Sequence, residues 1–256
     1  MISDGRKRIE KITSRKNPLV RHLKQLGASR EYRLSHGELL CAGIRCLRDA
    51  ATRARITAIC ALEPIALPEL ASLPQTLVTP DVLEYISPLK SPPGVLFSCE
   101  IPRYDAKIDP RGRYIILDGV QDPGNVGAVI RSAAAFGIDA VLLHGACADP
   151  FNPKTVRAAM GALFWQRIIE TDDMALTAAV NDGLVIYGAA LSDAPRDVRS
   201  VDLSSASVAV GSEGAGLSER ILSLCRERVI IPMQPGTQSL NAAVSAGILL
   251  WEMYKG

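Results

Sequence analysis

The chain has 256 residues, 48% hydrophobic and 22% charged, with 29 Lys+Arg against 27 Asp+Glu for a net charge of +2. That balance excludes a disordered chain, and no run approaches the roughly 18 apolar residues of a membrane span. The charged start Ser3-Asp4-Gly5-Arg6-Lys7-Arg8 leads into no apolar signal-peptide core, so a cytoplasmic location is expected.

The charge is unevenly spread. Residues 1–110 carry 17 Lys+Arg against 12 Asp+Glu, whereas residues 111–256 carry 12 against 15. The first 35 residues hold ten basic and three acidic side chains, Arg15, Lys16, Arg21 and Lys24 among them. Such a cluster can follow a phosphate backbone or form a solvated helix face, and charge alone leaves both open. From Asn17-Pro18 to Ser29 the apolar positions Leu19, Val20, Leu23 and Leu26 recur at helical spacing, with Asn17 as N-cap and Pro18 at the first helical position. Short apolar runs follow at Leu39–Ala42, Ile56–Cys60, Leu77-Val78 and Val95–Phe97, with one helical stretch near Ile44–Thr52, which reads as a small α/β domain. Residues 101–112 lack either period and contain Pro102 and Pro110; the domain linker is placed there.

Beyond the linker, the runs Tyr114–Leu117, Ala140–Leu143, Leu184–Tyr187, Val208–Val210 and Val229–Ile231 alternate with helical segments. Short buried runs interleaved with helices predict an α/β fold, a mostly parallel sheet covered on both faces, with ligands beyond the carboxyl ends of its strands. The six cysteines form no C-x-x-C pair and read as small buried hydrophobes. None of the three histidines sits in an acid or nucleophile motif, so no histidine is expected to run the chemistry.

Three segments carry that chemistry, each a strand running into a turn and a helix start. The first runs from Ile115 to Ala133 through Asp118-Gly119-Val120-Gln121-Asp122-Pro123-Gly124-Asn125, with Asn125 in the first helical turn and Arg131 six residues on. Free amides there can meet an anion, although Asn125 and Arg131 stand about 120° apart around the helix. Gly124 and Gly127 do not make a dinucleotide fingerprint. The second is Val208-Ala209-Val210-Gly211-Ser212-Glu213-Gly214-Ala215-Gly216-Leu217-Ser218, where three glycines let backbone approach a ligand and Ser218 is a natural N-cap. Its carboxylate, Glu213, would repel a phosphate and suits a cationic or hydroxyl-bearing ligand. The third runs from Val229 to Ile248 and holds Ile231, Met233, Ser239, Leu240 and Asn241 ahead of a small-residue helix. Singly, each is compatible with an ordinary strand-to-helix turn.

In this order and spacing the three segments resemble the signature motifs of the SpoU (TrmH-type) ribose methyltransferases of the SPOUT superfamily. Ile12-Thr13-Ser14-Arg15-Lys16-Asn17-Pro18-Leu19-Val20 and Gly43-Ile44-Arg45 likewise resemble the family's substrate-binding domain. Two departures stand out: Ala42 where the family often has glutamate, and Ser239-Leu240-Asn241-Ala242-Ala243 where a serine is common at the last position. The resemblance implies an RNA-binding domain over residues 1–100 and a methyltransferase domain with a deep trefoil knot over residues 113–256. It implies bent S-adenosylmethionine held by Gly211, Glu213, Gly216, Ile231, Met233, Ser239 and Leu240, a catalytic set of Arg131, Asn125, Glu213, Ser239 and Asn241, and no metal. It further implies a homodimer in which Arg131 faces cofactor held by the other subunit. Because guanidinium resists deprotonation, Arg131 is expected to orient the ribose 2′-hydroxyl and grip the adjacent phosphate rather than act as a base. Ribosomal RNA is the expected substrate; tRNA, and an RNA-binding protein that keeps the fold without turnover, are the alternatives.

Overall fold

The computed structural model describes residues 10–71, 73–191, 196–234, 236 and 239–255. Arg6, Lys7 and Arg8 of the basic cluster lie outside the described residues. The chain divides into two compact units: residues up to Pro102 together with Phe151–Phe164, and Arg103–Pro150 together with residues from Trp165 onward.

The first unit contains β1 (Glu10–Ile12), α1 (Pro18–Ala28), α2 (Arg30–His36), β2 (Glu38–Ala42), α3 (Ile44–Ala51), β3 (Ile56–Ala61), β4 (Gln75–Val78), α4 (Pro80–Ile86) and β5 (Val95–Glu100). Its sheet runs β1-β4-β3-β5-β2, parallel among the first three strands and antiparallel thereafter. Helix α1 starts where turn chemistry predicts: the Asn17 side chain accepts from Leu19 N and Pro18 occupies the first turn. It buries Val20, Leu23 and Leu26 against the sheet and α4, each leucine worth about 1.5–3 kcal/mol. Residues 101–113 carry neither helix nor strand.

The second unit contributes β6 (Tyr114–Asp118), α5 (Pro123–Ala135) and β7 (Ala140–His144). After α6 (Pro153–Ala159), which belongs to the first unit, come β8 (Ile168–Thr171), α7 (Asp173–Asn181), β9 (Ile186–Ala189), β10 (Arg196–Asp197), β11 (Ser207–Gly211), α8 (Glu219–Leu224), β12 (Glu227–Ile230) and α9 (Ala242–Lys255). Among the described residues the sheet runs β10-β12-β9-β11-β6-β7-β8, parallel at every pairing. Every residue of β6 and β7 is buried, as strands covered on both faces require. Tyr114 and Ile116 share one core with Leu176 and Ala179 of α7 and Ile221 of α8. The alternate residues face the other way, into the layer where α5 packs on β7, and α9 on α5 and β11.

The run Leu184–Tyr187 enters the sheet two residues later than its apolar start. Gly183, at φ +111°, closes α7, with Gly183 N donating to Val180 O and Leu184 N to Ala179 O. Leu184 therefore belongs to a Schellman-type closure rather than to β9.

Candidate active site

From β6 the chain builds outward through β7 and β8, then restarts on the other flank of β6 with β9 and β11. The neighbours β6 and β11 mark a reversal of strand order, where parallel sheets open a ligand crevice beyond their carboxyl ends. The loops after β6, β11 and β12 meet there.

Asp122 caps α5, its Oδ1 accepting from Asn125 N at 2.8 Å, which fixes Asn125 in the first turn. The Asn241 side chain caps α9: its Oδ1 accepts from Ala243 N at 3.0 Å and Val244 N at 3.3 Å. That commits the Asn241 oxygen to backbone, so its Nδ2 must point away from the helix. There it donates to Asn125 Oδ1 at 2.9 Å and Glu213 Oε1 at 2.7 Å. With its own oxygen occupied, Asn125 turns Nδ2 to the same Glu213 Oε1 at 3.0 Å, and Ala242 N reaches that oxygen at 3.4 Å. No described residue donates to Glu213 Oε2. The alanine at 243 in place of a hydroxyl leaves this cap intact, because the contact made at 243 is through backbone.

Glu213 stands on the turn after β11, whose shape depends on glycine. Gly216 sits at φ +70°, and Ser212 and Gly216 pair across the turn. A Cβ on Gly211 would fall into the backbone of Gly216 and Leu217. The loop's own backbone therefore excludes a side chain at 211, while the Gly211 backbone still borders the neighbouring cavity.

Gly211, Glu213, Gly216, Ile231, Met233, Ser239 and Leu240 all line one cavity of about 440 Å³, within the ~300–1,000 Å³ typical of small-molecule sites. Its aliphatic wall, loop backbone, Ser239 hydroxyl and Glu213 carboxylate suit a ligand with a flat apolar body, hydroxyls and a positive centre, which is the chemistry of S-adenosylmethionine. Arg131 lies exposed on α5, about 9 Å along the helix from Asn125.

In the first unit, Lys16 and Arg21 are exposed. Arg15 forms a two-pronged ion pair with Asp81, one bond being Arg15 Nε to Asp81 Oδ2 at 2.9 Å. Arg15 and Lys24 each sit 5.2 Å from the Tyr85 ring centroid.

One cluster was missed in the sequence. Buried His144 places Nδ1 2.8 Å from Asp118 Oδ1 and Nε2 3.0 Å from Asp173 Oδ1, while Asp118 Oδ2 accepts from Ser218 N at 2.6 Å. The ring thus ties the ends of β6 and β7 to the start of α7 and the end of the Glu213 loop. The usable signal was strand position: Asp118 and His144 are the last residues of β6 and β7 and stand opposite each other in register. Beside them, burial pushes the Cys147 thiol upward, and it pushes Cys225 to about 11. Both thiols donate to backbone carbonyls, Cys147 to Leu117 O and His144 O and Cys225 to Ile221 O, each at 3.2 Å.

A family model for the SpoU rRNA methylase family matches residues 112–251. The chain is 31% identical to an uncharacterized tRNA/rRNA methyltransferase of Synechocystis, over 95% of this chain and 93% of that protein. It is 28% identical to the 23S rRNA (guanosine(2553)-2′-O)-methyltransferase of Bacillus subtilis, over 96% and 99%. Among solved structures, the AdoMet-bound rRNA methyltransferase from Sinorhizobium meliloti superposes with a TM-score of 0.85 at 27% identity, covering 96% of this chain and 98% of that one.

Proposed function

This chain belongs to the SpoU rRNA methylase family, and from that premise we propose that it is an S-adenosylmethionine-dependent methyltransferase acting on a ribose 2′-hydroxyl of ribosomal RNA. The observation that carries this reading is the Asn125–Glu213–Asn241 cluster, whose Glu213 lines the 440 Å³ cavity.

When bound, S-adenosylmethionine supplies a methyl group on a positively charged sulfur. The loop backbone around Gly216, with Ile231 and Leu240, would hold its apolar body, and the Glu213 carboxylate would favour its positive charge. Arg131 grips the phosphate next to the acceptor ribose through its planar fork and orients the hydroxyl for in-line attack. The exposed aromatic face of α9 supports a homodimer through this layer: Trp251 and Tyr254 cluster with Phe136 at ring-centroid distances of 5.7–6.0 Å and are 47% and 58% exposed. In that dimer Arg131 faces the partner's cofactor.

The domain reading assigns RNA binding to residues 1–100, a linker to 101–112 and methyl transfer to 113–256, with Arg15, Lys16, Arg21 and Lys24 following RNA phosphates. The trefoil knot belongs to the same reading. It is supported by the strand order, in which β12 inserts between β9 and β10 although both precede it in the chain. No helix among the described residues is long and apolar enough to cross a membrane, and the reading places the protein in the cytoplasm.

The test is methyl transfer in vitro to ribosomal RNA isolated from cells lacking the gene. Radiolabel should appear at one alkali-resistant dinucleotide, the mark of a 2′-O-methyl group. Label on a base would overturn the ribose assignment. Transfer confined to tRNA would change the substrate, and RNA binding without any transfer would leave a non-catalytic RNA-binding protein.

A further inference from the structure

The last residue of β6 holds both ends of the turn that carries Glu213. Asp118 stands opposite Gly211, the last residue of β11, in the parallel register. Its Oδ2 accepts from Ser218 N at 2.6 Å, where the turn enters α8. Between those points the turn closes on itself, Gly216 N donating to Ser212 O at 2.9 Å. Gly211, Ser212, Glu213 and Gly216 of this turn line the 440 Å³ cavity. One buried carboxylate therefore fixes the base of a cavity wall.

His144 orients that carboxylate. It stands opposite Asp118 on β7, with Nδ1 2.8 Å from Asp118 Oδ1, and among the described residues no other side chain bonds Asp118. A buried carboxylate oxygen left without a partner is costly, so without the imidazole the group would turn to find one and carry Oδ2 away from Ser218 N. On the other side of the ring Nε2 lies 3.0 Å from Asp173 Oδ1, which Arg220 of α8 approaches at 3.5 Å. Asp173 and Arg220 are both exposed, so water screens that outer arc and the inner contact with Asp118 dominates. Resting on the methyltransferase reading above, we infer that His144 is a positioning residue for cofactor binding: by holding Asp118 it keeps the Glu213 turn in the shape that S-adenosylmethionine takes up, although His144 does not itself line the cavity. Its loss falls on affinity rather than on the transfer step, because saturating cofactor pulls a loosened turn back to the bound shape.

Asparagine and leucine separate this role from simple packing. His144→Asn keeps an amide near the place of Nδ1 and gives up the contact with Asp173, whereas His144→Leu keeps apolar bulk and gives up both. In the full chain, calorimetry should give a Kd for S-adenosylmethionine about tenfold or more weaker in His144→Leu, the weight of one buried hydrogen bond to a charged group, and within about threefold of wild type in His144→Asn. Single-turnover transfer to ribosomal RNA at saturating cofactor should stay within about threefold in both variants. With no ligand present, hydrogen exchange at the Ser218 amide should quicken about tenfold in His144→Leu and hold in His144→Asn. If His144→Leu does not fold, His144→Gln makes the same comparison, since its longer side chain carries the amide toward Asp173 and leaves Asp118 Oδ1 bare. A wild-type Kd in the variant that leaves Asp118 bare, or an equal loss in His144→Asn, would overturn the positioning role. Unchanged exchange at Ser218 would break the link through Asp118 and end the proposal. A wild-type protein that binds no S-adenosylmethionine while Ser218 exchange responds as expected would instead overturn the methyltransferase reading and keep His144 as the residue that holds the turn.

Discussion

Arg131 and Gly211 should fail in different ways when replaced. Arg131→Ala removes a group proposed to contact RNA, so single-turnover transfer at saturating cofactor and RNA should fall by about 10²–10³. S-adenosylmethionine affinity should hold, and lysine should rescue poorly because a point charge lacks the planar fork. A wild-type rate in Arg131→Ala would remove it from the catalytic set. Gly211→Ala forces a methyl into the backbone of Gly216 and Leu217, so the Glu213 turn must move before any ligand arrives. Its melting temperature without cofactor should drop with cofactor affinity, by about 1–3 kcal/mol of stability. An unchanged melting curve would return that space to the ligand. At this scale the sequence was informative about residue type: Asn125, Glu213 and Asn241 stood out because two caps and a glycine turn are local features. His144 did not, since nothing near it in the chain foretells Asp118 or Asp173.

Helix α1 and the turn before it join clear local signals to a run of basic side chains. Its cap, proline and three-residue apolar spacing all reappear in the structure, because each acts within one or two turns. The basic residues from Arg15 to Lys24 are not equivalent. Arg15 is already paired with Asp81, whereas Lys16 and Arg21 are exposed. Replacing Lys16, Arg21 and Lys24 together with alanine should therefore flatten the salt dependence of RNA binding by about 0.7–0.9 for each phosphate no longer neutralised, with cofactor affinity untouched. Arg15→Ala alone should change the slope less. An unchanged slope in the triple variant would reduce these charges to a solvated face. The short strands β1, β8 and β10 were not read from the sequence: two to four residues carry no measurable period, and their partners in the sheet define them.

For the whole molecule, every residue lining the 440 Å³ cavity proposed to hold the cofactor falls in the second unit, so a fragment of residues 103–256 should bind S-adenosylmethionine in calorimetry. That fragment also carries Phe151–Phe164, whose packing partners lie in the first unit, where α6 packs on β2. Limited proteolysis should cut the fragment within 151–164 and spare the full chain there. A folded fragment that binds no cofactor would sink the assignment of the site to this unit. The apolar residues of that segment, such as Val156 and Leu163, suit either core, so composition alone does not tell which one they join. By itself the sequence determined the α/β alternation, the helix starts and the residue types of the three loops, since periodicity, capping and turn chemistry act over a few residues. Tertiary structure alone decided the strand order, the slot of β12 between β9 and β10, and the meeting of Asn125 with Glu213 and Asn241 across 88 and 116 positions. Those outcomes depend on which distant surfaces exclude water together, and no short stretch of chain encodes that.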